Sequence, residues 1–149
     1  MRLRPLLLSA LLCTLALPAH AKWELRQTSG LAVMEQTVDG TRVTFQCIGR
    51  TKNRLTVGLD RGRTEMPAAR AVMLWIEAPD GRMARHSMDA FKEGPGLSAT
   101  LYTSDLVLQQ IRQAKALELT IAGTGKRLVR TNAKGTGAFR LAVKEQCGF

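Results

Sequence analysis

Once residues 1–21 are set aside as a leader, His86, Cys47 and Cys147 are the side chains that stand out for reactive chemistry. A proton relay through His86 would need a hydroxyl or carboxylate on the same side of the chain. Ser87 is adjacent and Asp89 lies just beyond, but neighbours in an extended segment point to opposite faces and form no relay. His86 therefore reads as a surface or edge-strand histidine. The two cysteines lack the C-x-x-C spacing of a redox pair. No His, Cys or Asp cluster has the spacing of a metal site, and no metal or cofactor is expected. Carboxylate pairs for glycoside chemistry can come from distant positions, yet many of the 12 acidic residues sit near turns.

Two glycine-rich stretches invite comparison with phosphate-binding loops. Gly123-Thr-Gly-Lys-Arg127 departs from the P-loop pattern, which needs Gly where Thr120 stands and Ser or Thr where Arg127 stands. It reads as a hairpin turn. Gly135-Thr-Gly137 could present backbone N–H groups to an anion, but the start of a helix is the better reading.

The leader gives these residues their context. Met1-Arg-Leu-Arg4 is a short basic region, Leu6 to Leu17 is almost wholly apolar, and Pro18-Ala-His-Ala21 supplies small residues for cleavage. The expected product is a single periplasmic or secreted domain, residues 22–149. Cys13 departs with the leader, and Leu11 and Leu12 before it do not fit a lipoprotein site. Beyond the leader, no apolar run approaches the roughly 20 residues of a membrane span. An oxidising compartment then makes Cys47–Cys147 the expected disulfide. It would close a loop of about 100 residues, for which chain entropy gives up to roughly 4–5 kcal/mol.

The elements that position these side chains are mainly strands. Asp39-Gly40 is a favoured two-residue turn between alternating segments Leu31–Val38 and Thr41–Cys47. Such a turn sets Val38 against Thr41, Gln36 against Val43, Met34 against Phe45, and Ala32 against Cys47. Ala32, Met34, Val43, Phe45 and Cys47 then share the core face. Arg54–Leu59 alternates. Ala71–Glu77 is a continuous apolar run, expected to be buried on both faces. Pro79-Asp80-Gly81 turns it into Arg82–Met88, and Glu93-Gly-Pro-Gly96 precedes Leu97–Tyr102.

At Thr103 or Ser104 the period changes to that of a helix reaching about Gln113, with Asp105 in its first turn and Val107, Leu108, Ile111 and Ala114 as its stripe. Strands return at Leu117–Ala122 and Arg127–Thr131. Ala138–Cys147 fits either period, because Phe139, Val143 and Cys147 share a face on a helix and on a strand. The expected fold is α+β: an antiparallel β-rich sheet or sandwich with one or two helices, stapled by one disulfide.

Charge points to partners rather than to a reaction. The formal net charge is +10, of which two charges belong to Arg2 and Arg4 in the leader. Such an excess suits an acidic protein, an anionic envelope polymer or a lipid. Aromatic residues are few, which argues against a stacking platform for bases or sugars, and no nucleic-acid partner is expected. Arg50, Lys52 and Arg54 alternate around one loop, and Arg61 and Arg63 flank Gly62 in the next. These five are the candidate partner- or anion-binding residues.

Several stretches resemble the type VI secretion-associated VasI-type family of small secreted proteobacterial proteins. They are Val43-Thr-Phe-Gln-Cys47 followed by Leu55-Thr-Val57, Val72–Ile76, Leu106–Leu117 ahead of Glu118-Leu-Thr-Ile121, and Ala138-Phe-Arg-Leu141 with Cys147-Gly-Phe149. The chain is less closely similar to the invasion-associated locus B family, whose β-rich domains also end in a Gly-Phe region but carry an early cysteine cluster absent here. These resemblances imply an accessory, protein-contacting role in the envelope and assign no catalytic residue. The expectation is a non-enzymatic accessory or binding protein contacting another envelope or secreted protein, with secretion-associated, immunity and inhibitor roles in that class. The alternatives are basic-patch binding of an anionic polymer or lipid and, behind it, a hydrolase with a cryptic site.

Overall fold

The computed structural model describes residues 22–49 and 53–148, so the leader, Arg50 and Lys52 lie outside the described residues. Among the described residues nine strands form one antiparallel sheet: β1 (Glu24–Thr28), β2 (Leu31–Val38), β3 (Thr41–Ile48), β4 (Arg54–Asp60), β5 (Ala71–Glu77), β6 (Met83–Glu93), β7 (Gly96–Tyr102), β8 (Ala116–Ile121) and β9 (Arg127–Asn132). Their spatial order is β1-β2-β3-β4-β7-β6-β5-β8-β9, and the sheet curls into a half-barrel. Helices α1 (Asp105–Gln113) and α2 (Phe139–Cys147) pack against it, the second preceded by a 3-10 turn at Thr136–Ala138. No helix among the described residues is long and apolar enough to cross a membrane.

The β2–β3 hairpin pairs in the register that a two-residue turn dictates, from Val38↔Thr41 to Ala32↔Cys47. Asp39 and Gly40 both have positive φ, the backbone that aligns a tight turn with twisted strands. Ala32, Met34, Val43, Phe45 and Cys47 are all buried. Cys47 is bonded to Cys147 with their Cα atoms 6.3 Å apart, fixing the end of α2 to the inner face of β3.

Strand β5 departs from expectation. Val72, Leu74 and Ile76 are buried, but Ala71, Met73, Trp75 and Glu77 are only half-buried. Both helices lie elsewhere, so its second face carries no covering layer. Trp75 instead hydrogen-bonds the Thr120 hydroxyl (3.0 Å) on β8. Strand β6 extends to Glu93, past the expected Met88, because β7 pairs with its far half.

β1 was not foreseen. Glu24-Leu-Arg-Gln-Thr28 has one apolar residue and no alternation, and its order comes from pairing with β2 and from Trp23 beside it. The buried Trp23 indole meets the Phe45 ring edge-on and donates to the Asn132 carbonyl (2.7 Å). The Trp23 N–H donates to the Lys134 carbonyl (2.8 Å). One residue thus joins the first strand of the sheet to the end of the last.

The helices follow from local rules. Ser104 caps α1 through its hydroxyl, which accepts from the Val107 N–H, and Val107, Leu108 and Ile111 are buried. The ambiguous C-terminal segment is a helix whose buried face is Phe139, Ala142, Val143 and Cys147. Between the two helices, the buried Thr136 hydroxyl lies within hydrogen-bond reach of the Ile111 and Ala133 carbonyls.

Candidate functional site

Of the five basic residues proposed from sequence, the three that are described, Arg54, Arg61 and Arg63, are not together. Arg54 opens β4, whereas Arg61 and Arg63 follow its last residue. At the usual rise per residue, seven steps of strand separate Arg54 from Arg61 by roughly 20 Å, so they occupy opposite ends of the sheet. Arg54 shares its end with Tyr102, its cross-strand neighbour on β7. Arg61 and Arg63 find different company.

At their end the half-barrel is closed by the β4–β5 connection. Met66 from that connection is buried in the core, and its N–H donates to the Pro95 carbonyl (2.8 Å) in the β6–β7 turn. The Lys92 ammonium donates to the Met66 carbonyl (2.7 Å), locking the same connection from β6. Arg61 bridges the start of β3 and β9. Its Nε donates to the Thr41 hydroxyl (3.0 Å) and its Nη2 to the Leu128 carbonyl (3.1 Å). The connection is therefore anchored at both ends, although most of its surface is exposed.

The anchoring gathers charge. Arg61, Arg63 and Arg70 come from the β4–β5 connection, Lys126 from the β8–β9 turn and Arg127 from the first position of β9. Asp39, Glu65 and Glu93 oppose them at the same end. Arg127 is engaged by Glu118 (3.1 Å), whereas Arg63, Arg70 and Lys126 are exposed and form no ion pair among the described residues. Arg61, Arg127 and Arg130 line a shallow recess beside Val38 and Asp39.

Arg130, further along β9, belongs to a lattice with Glu77, Glu118 and Lys115 across β5, β8 and β9. Hydrogen bonds from Lys115 and Arg130 hold the Glu77 carboxyl below its ordinary range, and Glu77 and Glu118 raise Arg130. With Arg127 also on Glu118, three cations share two carboxylates there, whereas Arg63, Arg70 and Lys126 have no ion pair among the described residues.

The remaining expectations resolve individually. His86 lies on the half of β6 that pairs with β5, opposite Leu74, and not with β7, so it sits on a locally unpaired edge and is half-buried. Its Nε2 is 3.0 Å from the Gln110 amide oxygen of α1, tying helix to sheet. Beside this contact, Ile76, Pro79, Met83 and Ala84 with Gln110 and Gln113 line an open groove of about 720 Å³. Gly123–Lys126 is the β8–β9 turn, and Gly135-Thr-Gly137 leads into α2 through the 3-10 turn. No group of His, Cys, Asp and Glu among the described residues is placed to hold a metal ion.

Sequence reasoning missed Arg70, Lys126 and Arg127 as residues at Arg61's end of the sheet, Arg127 lining one recess with it. They lie 9 to 66 positions from it, and no local pattern links them. The signal available was strand parity: in an all-antiparallel sheet the Asp39-Gly40 turn, the residues after β4 and the β8–β9 turn fall at one end. No family model matches the chain, and none of the curated proteins or solved structures compared with it matches either.

Proposed function

We propose that this chain is a non-enzymatic binding protein of the bacterial envelope that contacts an acidic protein partner through the strand end carrying Arg61, Arg63, Arg70, Lys126 and Arg127. One observation carries the reading. Two segments far apart in sequence are fastened side by side, and the cations they present at Arg63, Arg70 and Lys126 are left without carboxylate partners. A solvated surface needs no such fastening, whereas a docking surface gains affinity from being held in shape before its partner arrives. Clustered charge also speeds encounter with an oppositely charged partner. The leader reading and the family resemblance support a periplasmic or secreted protein, and in either setting accessory, immunity and inhibitor roles are served by contact alone.

The test is a quantitative pull-down from periplasmic extract with wild type and the Arg63→Glu/Arg70→Glu/Lys126→Glu variant. The proposal expects at least one partner to be lost on charge reversal and retained at moderate salt. An unchanged partner set removes this surface from the argument. Binding to an anionic polymer or lipid vesicle that falls steeply with added salt would favour the alternative instead, because screened charges then supply most of the affinity.

A further inference from the structure

The outer wall of the half-barrel carries a feature that the basic end does not explain. Register places Thr44, Gly58, Ser98 and Phe91 in one row across β3, β4, β7 and β6. The adjacent row is Gln46, Thr56, Thr100 and Asp89. A convex sheet face normally presents side chains to water, yet Ser98 is only 1% exposed. It lies on the floor of a trough of about 250 Å³ lined also by Arg42, Thr44, Gln46, Thr56 and Gly58.

The trough is built by omission. Gly58 and Gly96 have no side chain, and a Cβ at either position would come within 2.5 Å of the Thr44 hydroxyl or 2.8 Å of the Leu59 carbonyl. The floor is therefore bare backbone flanked by hydroxyls. Ser98, Thr44 and Thr56 make no side-chain hydrogen bond among the described residues. Phe91, 55% exposed, stands opposite Ser98 across the β6–β7 ladder, beside the trough rather than in its lining.

These features select a ligand class. A peptide adding as a strand needs free main-chain groups, and on β4 and β7 these are committed to neighbouring strands. An anion meets one guanidinium, Arg42, already paired with Asp60 (2.8 Å), and beside it the Glu93 carboxylate. A purely apolar ligand would bury the half-exposed Thr44, Thr56 and Gln46 without partners, which is unfavourable for each group. A neutral, polyhydroxylated ligand satisfies all of them. Its hydroxyls pair with the Ser, Thr, Gln, Asp and Glu groups, and its C–H face packs on Phe91. We infer that this trough is a binding site for a neutral saccharide. It relies on a hydrogen-bonding floor and one ring, not on the aromatic platform that composition argues against.

The test is an amide chemical-shift titration of the intact protein with two probes, chitotetraose and maltotetraose. At least one should give saturable shifts centred on Thr56, Ser98 and Phe91, with a millimolar or tighter Kd. Thr56→Arg, which fills the trough from an outward-facing position, should abolish them, and Phe91→Ala should weaken binding by up to about tenfold. The charge-reversal variant at the basic end should bind the saccharide as wild type does, so this proposal and the docking surface fail separately. Absence of saturable shifts with both probes overturns the proposal, as do shifts mapping elsewhere or wild-type affinity in Thr56→Arg.

Discussion

At the end of the half-barrel where β3 and α2 finish, a disulfide joins them and two helices cover apolar side chains. At the opposite end, one buried methionine and a few hydrogen bonds hold exposed loops in place. The first end is stabilised mostly by burial and covalent linkage, the second mostly by directional contacts at the surface. Burial is roughly proportional to area and tolerant of detail, whereas directional contacts depend on a few atoms. The contrast suits a protein that holds itself together at one end and meets a partner at the other.

The sharpest way to break this comparison is to cut the staple. Replacing both Cys47 and Cys147 with Ala should cost up to about 4–5 kcal/mol in urea unfolding, on a chain-entropy basis. A loss under about 1 kcal/mol would mean that the helices hold the stapled end without it. Next in size is Met66→Ala, which should cost about 2–5 kcal/mol by leaving a cavity beneath the β4–β5 connection. It should also raise hydrogen exchange at Thr64–Met66 and near Pro95. Global loss without local loosening would place the methionine in the common core rather than at the root of the loop. Third is Ser104→Ala, expected to cost about 1 kcal/mol because the Val107 N–H loses its cap.

The two ends also differ in how far sequence revealed them. The hairpin register was legible because a two-residue turn leaves one pairing and one inward face. The cap of α1 was legible because Ser104 and Asp105 directly precede a 3.6-residue period. The C-terminal segment held a clue in Leu141 and Glu145. A strand would put both on the face of Phe139, Val143 and Cys147, whereas the helix leaves both exposed. β1 was hidden because an edge strand fixed by Trp23 needs no pattern of its own. The basic end was legible only as separate charges, since Arg61 reaches Leu128 through the curl of nine strands. The outer trough was hidden for a related reason. Gly58 and Ser98 say nothing until β4 and β7 are known to be neighbours.

The smallest expected effect tests whether surface charge matters at the stapled end. Asp105, in the first turn of α1, pairs with Arg140 (2.8 Å) and Lys144 (2.8 Å) of α2. Hydrogen bonds from Arg140 and then Lys144 lower its carboxyl from 3.8 to about 2. A carboxyl depressed on folding contributes stability that is present above its unfolded value and lost as pH falls through its folded one. Wild type should therefore be slightly more stable than Asp105→Asn at neutral pH, and the gap should close between about pH 4 and pH 2. Because the carboxylate is 59% exposed, added salt should shrink the gap as well. A gap unchanged by both acid and salt would trace the effect to the helix start itself. The two helices would then be joined by packing and Thr136 alone, and charge would be left to the end that has no staple.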